Sequence, residues 1–167
     1  MTAQLQAASA KMQGVRHDFA IVRPLCGTRP ERRAREVLEE VLAWLGHKGE
    51  AFEAGLAVSE LVSNARLHAP PPCELHVYPS VSGVKIAVVD GGDDYVELAH
   101  RLAQTQAGRA TRGESGRGLQ LVAGLFPGRW GVGPATTCTG LSPAKQIWIN
   151  LPGEGQPREG QSDGAPS

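Results

Sequence analysis

The sequence predicts an α+β domain in which helices cover one face of a β-sheet. Three stretches carry that reading. Apolar residues recur at helical spacing from Ala34 to Leu45. A second helical pattern runs from about Glu50 to Ala69 and stops at three prolines. Two strand-like runs, 73–78 and 84–90, flank a Ser82-Gly83 turn. Helical and strand periods that alternate along one chain point to a layered arrangement.

Each element follows from local chemistry. Residues 1–14 are Ala/Gln-rich and expected to be loose, and His17 to Val22 reads as an early strand. Thr28 is expected to start the first helix, with Glu31 three residues later completing a capping box. Ala34, Val37, Leu38, Val41, Leu42 and Leu45 form its apolar face, and Gly46 fits its end. Arg32, Arg33, Arg35, Glu36, Glu39 and Glu40 fall mainly on its solvated side. Pro70, Pro71 and Pro72 end the second helix, because proline lacks an N–H and disfavours helical backbone before it. After the hairpin, Tyr95 to Gln104 is expected as a short helix and Gly118 to Phe126 as another. Arg129 to Gly133 and Gln146 to Leu151 are expected to close the sheet. Residues 152–167, rich in Gly, Pro, Glu and Ser, are expected to be a disordered tail. The domain itself is placed at 15–151, and there is no internal repeat.

Composition excludes several classes. A chain of 167 residues is long enough for one domain with an adequate core. Formal net charge is zero, which gives no electrostatic case for direct nucleic-acid binding. No apolar run is long enough to span a membrane, and residues 1–14 lack the apolar region of a signal peptide, so a cytoplasmic location is expected. Cys26, Cys73 and Cys138 are odd in number and widely separated, which argues against a disulfide framework and matches no zinc spacing. Cys73 and His76 make half a metal motif and read better as packed strand residues. Trp44, Trp130 and Trp148 read as packing residues, and His17, His47, His76 and His100 have no partner at ligand spacing.

Chemistry concentrates in three segments. In Ser59-Glu60-Leu61-Val62-Ser63-Asn64-Ala65-Arg66-Leu67-His68-Ala69, Glu60, Asn64 and His68 are four apart and form one polar column, with Leu56, Leu61, Val62 and Ala65 expected on the opposite, core-facing side. Asn64 can offer a carbonyl oxygen to a hard cation such as Mg²⁺, Glu60 can take a proton or position a nucleophile, and His68 can donate to phosphate oxygens. Such a column is commonly the wet face of a helix, and only its company raises it above that. The second segment, Val84 to Gly92, is an apolar strand ending in Asp90 and two glycines. A carboxylate there can accept from an exocyclic amine, and glycine admits a flat ligand closely. The third, Gly113-Glu114-Ser115-Gly116-Arg117-Gly118-Leu119, leads into an apolar helix whose N-terminal N–H groups suit phosphate. Its spacing is neither that of a dinucleotide-binding fold nor that of a P-loop.

In this order, Glu-x-x-x-Asn on a helix, Asp-x-Gly after a strand and Gly-x-Gly before a helix resemble the N, G1 and G2 boxes of the GHKL (Bergerat-fold) ATP-binding family. Ser59 to Ala65 with His68-Ala69, Gly116-Arg117-Gly118-Leu119 followed by Leu121-Val122, Arg129-Trp130-Gly131-Val132 and Lys145-Gln146-Ile147-Trp148 resemble its small stand-alone bacterial members, the anti-sigma factor kinases and related regulators. The resemblance spans roughly residues 15–151. It implies a two-layer α/β sandwich of the Bergerat type, with a mixed, mostly antiparallel sheet, and it implies ATP and Mg²⁺ as cofactors.

By position, the resemblance assigns Asn64 to Mg²⁺, Glu60 to the attacking group and Asp90 to the adenine amine, with Gly92 giving the base room. Gly116, Arg117, Gly118 and Leu119 would place N–H groups around the phosphates, and His68 holds the basic position after the asparagine. Residues 91–114 would serve as the ATP lid. Small stand-alone members often have Gly-Lys-Thr where this chain has Ala144-Lys145-Gln146, so the hydroxyl that would support the adenine-binding aspartate is missing. The implied activity is that of a serine/threonine protein kinase that holds a sigma factor and phosphorylates an anti-anti-sigma (STAS-domain) partner, with a homodimer plausible by resemblance. The alternative is an ATP-gated binding module without phosphotransfer. A histidine kinase catalytic domain is the weaker reading, since no helical hairpin with a phospho-acceptor histidine precedes the N box.

Overall fold

The computed structural model describes residues 20–80, 82–106, 117–140 and 143–153. Five strands form one sheet in the order β1-β2-β3-β5-β4, where β1 is Ile21–Pro24, β2 Cys73–Ser80, β3 Gly83–Asp90, β4 Trp130–Pro134 and β5 Lys145–Pro152. Every pairing is antiparallel, which sharpens the expected mixed sheet to a purely antiparallel one. The helices are α1 (Pro30–Trp44), α2 (Ala51–His68), α3 (Tyr95–Gln106) and α4 (Arg117–Leu125). No helix among the described residues is long and apolar enough to cross a membrane.

The hairpin lies where the sequence placed it. Cys73 pairs with Asp90 and Ser80 with Gly83, and Gly83 takes φ +137°, a backbone angle that only glycine adopts freely. Alternation then sorts the side chains. Leu75, Val77, Val84, Ile86, Val88, Ile147, Ile149 and Leu151 face the helices and form the core with Val37, Leu38, Leu42, Val58, Leu61, Val62, Val122 and Phe126. The other face carries Glu74, His76 and Tyr78. The backbone N–H of Cys138, in the β4–β5 connection, donates to Glu74 Oε2 at 3.0 Å, and His76 Nε2 lies 2.7 Å from the same oxygen. That connection therefore reaches past β3 to β2. Burial works against a charged Glu74, but the bonds from Cys138 and His76 outweigh it and hold the carboxyl below its usual range. Cys73 and His76 are strand residues with separate surroundings, and burial pushes the Cys73 thiol up to about 12.

Three expectations need correction. The first helix does not start at Thr28, because Pro30 occupies its first position. A residue before proline avoids helical backbone, and Arg29 accordingly sits at φ −139°, ψ 60° with no side-chain cap. Glu31 still serves this helix start, accepting from its own backbone N–H and from Arg66, both of which lower its pKa. At the other end Gly46, at φ +70°, closes α1. Its N–H donates to Ala43 O and that of His47 to Leu42 O, the paired bonds of a Schellman turn. The first strand is Ile21–Pro24 rather than 17–22, of which 17–19 lie outside the described residues.

The third correction concerns Leu56, which is 37% exposed. It lies four residues before Glu60 and so belongs to the polar column's own face, with exposed Phe52 one turn earlier. Small residues, Ala54, Gly55 and Ala57, take the buried positions instead and let α1 and α2 pack closely.

Candidate functional site

The Glu60–Asn64 stretch of α2 and the start of α4 meet face to face. α4 packs against α2, and Gly118 lies directly over the column. A Cβ at Gly118 would sit 2.8 Å from Glu60 Oε2 and 3.1 Å from Asn64 Nδ2, so only glycine fits without displacing them. Leu119, next in the chain, turns into the core and fixes the rotation of α4. The first N–H groups of α4 have no partner within the helix, so the positive end of its dipole lies beside a carboxylate and an amide. Glu60 and Asn64 are half-buried. His68 stands exposed in the last turn of α2. Arg117 opens α4, and Gly116 lies outside the described residues.

Column and strand end are joined by the prolines. The N–H of Gly91 donates to Pro70 O at 2.9 Å, and a Cβ at Gly91 would come within 2.5 Å of Pro71 O. The chain leaving α2 is thereby tied to the chain leaving β3. The start of α2 is anchored separately. Glu50 takes a left-handed conformation (φ 56°) and accepts both arms of the Arg129 guanidinium, at 2.7 and 2.9 Å. A bidentate pair of this kind is directional and holds the helix start in one orientation.

Asp90 is 4% exposed and stands opposite Lys145 in the β3–β5 register. Lys145 Nζ lies 2.9 Å from Asp90 Oδ1 and 2.8 Å from Asp94 Oδ1, and the Gly92 N–H donates to Asp90 Oδ1 at 2.9 Å. The space a Cβ would take at Gly92 is held by Lys145 Nζ, Asp90 and Asp94. Burial disfavours the Lys145 charge, yet the two carboxylates outweigh it and raise its pKa. Lys145 is the residue the sequence reading missed. The hydroxyl had been sought at Gln146, but Gln146 points to the other face of the sheet and donates to Pro134 O. The signal was present: Lys145 is in phase with Ile147, Ile149 and Leu151, all of which point into the core.

A profile of the histidine kinase-like ATPase domain matches residues 28–127. The chain belongs to that family. The match contains the α2 column, the β3 end and the start of α4. Among solved structures, a chain of the SiaB–SiaC complex from Pseudomonas aeruginosa is similar, at 12% identity and a TM-score of 0.57, over 90% of this chain and 98% of that one. At that identity the likeness is one of fold. No curated protein sequence matches this chain. A histidine kinase-like ATPase domain implies ATP binding, and the residues present suit it. Asn64 carries an amide oxygen, Glu60 a carboxylate and Asp90 a buried carboxylate, and the N-terminal end of α4 lies beside the first two.

Proposed function

We propose that this protein is an ATP-dependent serine/threonine protein kinase that regulates a protein partner, of the anti-sigma factor kinase type. The single observation that supports this reading is the closeness of Gly118, at the start of α4, to Glu60 and Asn64, which suits a base, a metal ligand and a helix N-terminus acting on one phosphate group. Bound Mg-ATP supplies the transferable phosphoryl group. Asn64 would hold Mg²⁺, and the N–H groups of Gly118 and Leu119, with those of Gly116 and Arg117, would face the phosphates. Glu60 would accept the proton of a partner serine or threonine hydroxyl as it attacks. His68 would donate to phosphate from the end of α2, and Asp90 would accept from the base.

The partner in this reading is an anti-anti-sigma protein of the STAS type, competing with a sigma factor for a cytoplasmic protein that works as a homodimer. The similar chain in the SiaB–SiaC complex comes from an assembly with a protein partner, which fits. The competing reading is a nucleotide-gated binding module without transfer. Retention of Glu60 beside Asn64 favours the kinase, since binding alone has no use for a base.

One experiment separates them. Partners are captured from the source cytosol on wild type and on Glu60→Ala, each with Mg-ATP, and phosphosites are mapped. Phosphoserine or phosphothreonine on a retained protein with wild type alone establishes the kinase. A partner held equally by both and never phosphorylated makes the protein a binding module. The expected loss of transfer in Glu60→Ala is about a hundredfold or more, as for removal of a general base.

A further inference from the structure

Two large apolar side chains stand in water on the row that carries the polar column. Phe52 is 76% exposed and Leu56 37%. Phe52, Leu56, Glu60 and Asn64 are each four residues apart, so they follow one another along one ridge of α2. Neither Phe52 nor Leu56 belongs to the core, which α2 supplies from its other side. α4 runs past them in the opposite direction to α2. Its Gly118 lies over Glu60 and Asn64, whereas Arg129, just beyond its end, holds Glu50 at the start of α2. From Gly118 onward α4 therefore heads back toward Phe52, and Leu121, one turn on, is 39% exposed. Large apolar residues grouped in this way on a surface mark a place of recognition.

What the row leads to says what lies on it. The ridge is continuous with the site proposed for phosphotransfer, and it passes from phenylalanine and leucine straight to the Glu60 carboxylate. Residues four apart on a helix are separated by about 6 Å along its axis. In an extended chain, residues two apart point the same way and are separated by about 6.6 Å. The two repeats nearly coincide. An extended segment laid along α2 would thus set alternate side chains on Phe52 and Leu56 and bring the next one to Glu60. Two apolar side chains suit the first two places, and a hydroxyl suits the third. A triphosphate gains nothing from phenylalanine and leucine. A second copy of this chain could bury the same residues, but it gives no reason for the row to end at a carboxylate.

We propose that Phe52, Leu56 and Leu121 are the docking surface for the acceptor segment of the protein substrate, an extended stretch whose apolar residues lie about two and four positions from the phosphorylated serine or threonine. The inference rests on the kinase reading of Glu60. In the step it serves, the acceptor hydroxyl oxygen bonds to the γ-phosphorus of ATP, the bond from that phosphorus to the ADP oxygen breaks, and the hydroxyl proton passes to Glu60. The three apolar residues touch neither the nucleotide nor the reacting atoms. They hold the segment in the register that puts its hydroxyl at the carboxylate.

The test uses fluorescein-labelled peptides with a single serine. In one set, leucines stand two and four residues from it, on either side. In the other, of the same composition, they stand one and three residues away. Binding to the full chain is read by fluorescence anisotropy, and phosphate incorporation is read with Mg-ATP. Wild type should bind the peptides, and Phe52→Ser should bind them about tenfold or more weakly, the loss of an aromatic anchor. Serine is well tolerated at a helix start, and Mg-ATP affinity in calorimetry should not change. Leu121→Ser, on the other helix, should weaken the same peptides. Incorporation should favour the first set, and in Phe52→Ser the acceptor KM should rise while kcat holds. Glu60→Ala should bind the peptides as wild type does and transfer nothing. No binding to wild type, or equal binding to Phe52→Ser, overturns the inference and leaves the kinase reading to the partner-capture experiment. Transfer that ignores the leucine register also overturns the inference alone. Peptides that bind through Phe52 and are never phosphorylated by ATP-bound wild type overturn the kinase reading and the acceptor role together. A wild type that sediments as a dimer, with Phe52→Ser a monomer, assigns the patch to a second copy and overturns the inference.

Discussion

The two ends of the site are built on opposite principles. At the end proposed for the base, Asp90, Lys145 and Gly92 are buried, and Asp90 and Lys145 are paired with each other. At the end proposed for the phosphates, Glu60 and Asn64 are half-exposed on a helix face, and Gly118 at the start of α4 lies over them. The first end is part of what holds the sheet together. The second is held in place by other things, the Glu50–Arg129 clamp, the proline tie and the packing of Leu119. A mutation at the base end should therefore be read in stability, and one at the phosphate end in chemistry.

The largest effect expected on folding is that of Lys145→Met. It leaves Asp90 buried beside the second carboxylate without a counter-charge, and breaking a buried pair from one side costs about 3–5 kcal/mol. Urea denaturation measures it, and a loss under 1 kcal/mol would erase the contrast drawn above. Gly118→Ala is the converse. Alanine is the better helix former, by less than the ~1 kcal/mol of a helix interior at this second position of α4. The ends of the side chains it meets can turn aside, so the melting temperature should hold. The added methyl group meets Glu60 and Asn64, and ATP affinity should fall about tenfold. A stable variant with unchanged affinity would remove Gly118 from the site.

Acid and alkali probe smaller terms of opposite sign. Lys145 has a folded pKa above its unfolded value. Its contribution is complete below the ordinary lysine pKa, about 10.4, and is lost as pH rises through the folded value. Glu74 is depressed, so its contribution is complete above the ordinary value of 4.5 and is lost as pH falls. Thermal melts of wild type against Glu74→Gln should differ by about 1–3 kcal/mol at neutral pH and converge in acid, as expected when buried partners lose an acceptor. Equal acid slopes would show that the Cys138–Glu74–His76 bonds carry no stability. The smallest effect is expected from Arg129→Lys, which keeps the charge but loses the fork to Glu50. About 1 kcal/mol should be lost, and phosphotransfer should fall less than with Glu60→Ala. A larger loss of transfer than of stability would make the start of α2 part of the chemistry.

How much of this was legible follows from what each signal depends on. The hairpin, α2 and α4 were readable because their causes are local: alternation into a Ser82-Gly83 turn, three prolines after Ala69, an apolar run after glycines. The alignment of the column was also readable, since i and i+4 are fixed by helix geometry alone. The same rule was misapplied at Leu56, which shares a face with Glu60 and not with Leu61. Thr28 was a plausible cap whose claim was overruled by Pro30 two residues later. Lys145 was out of reach for a different reason. Its partner lies 55 positions earlier, and only the register of β3 against β5 brings the two together. Phase within β5 marked it as inward-facing but could not say what it would meet.

The outermost strands have a consequence for recruitment. β1 has four residues and β4 five, and each ends in a proline, Pro24 and Pro134, that has no N–H to offer. A docking protein that tried to lengthen the sheet would find a ladder of about 15 Å or less, interrupted at its end. Such a border is a poor template for stacking one molecule on the next, which protects the protein at high concentration. A protein partner would then have to be read mainly through side chains on the helices and loops, where a few substitutions can exchange one partner for another.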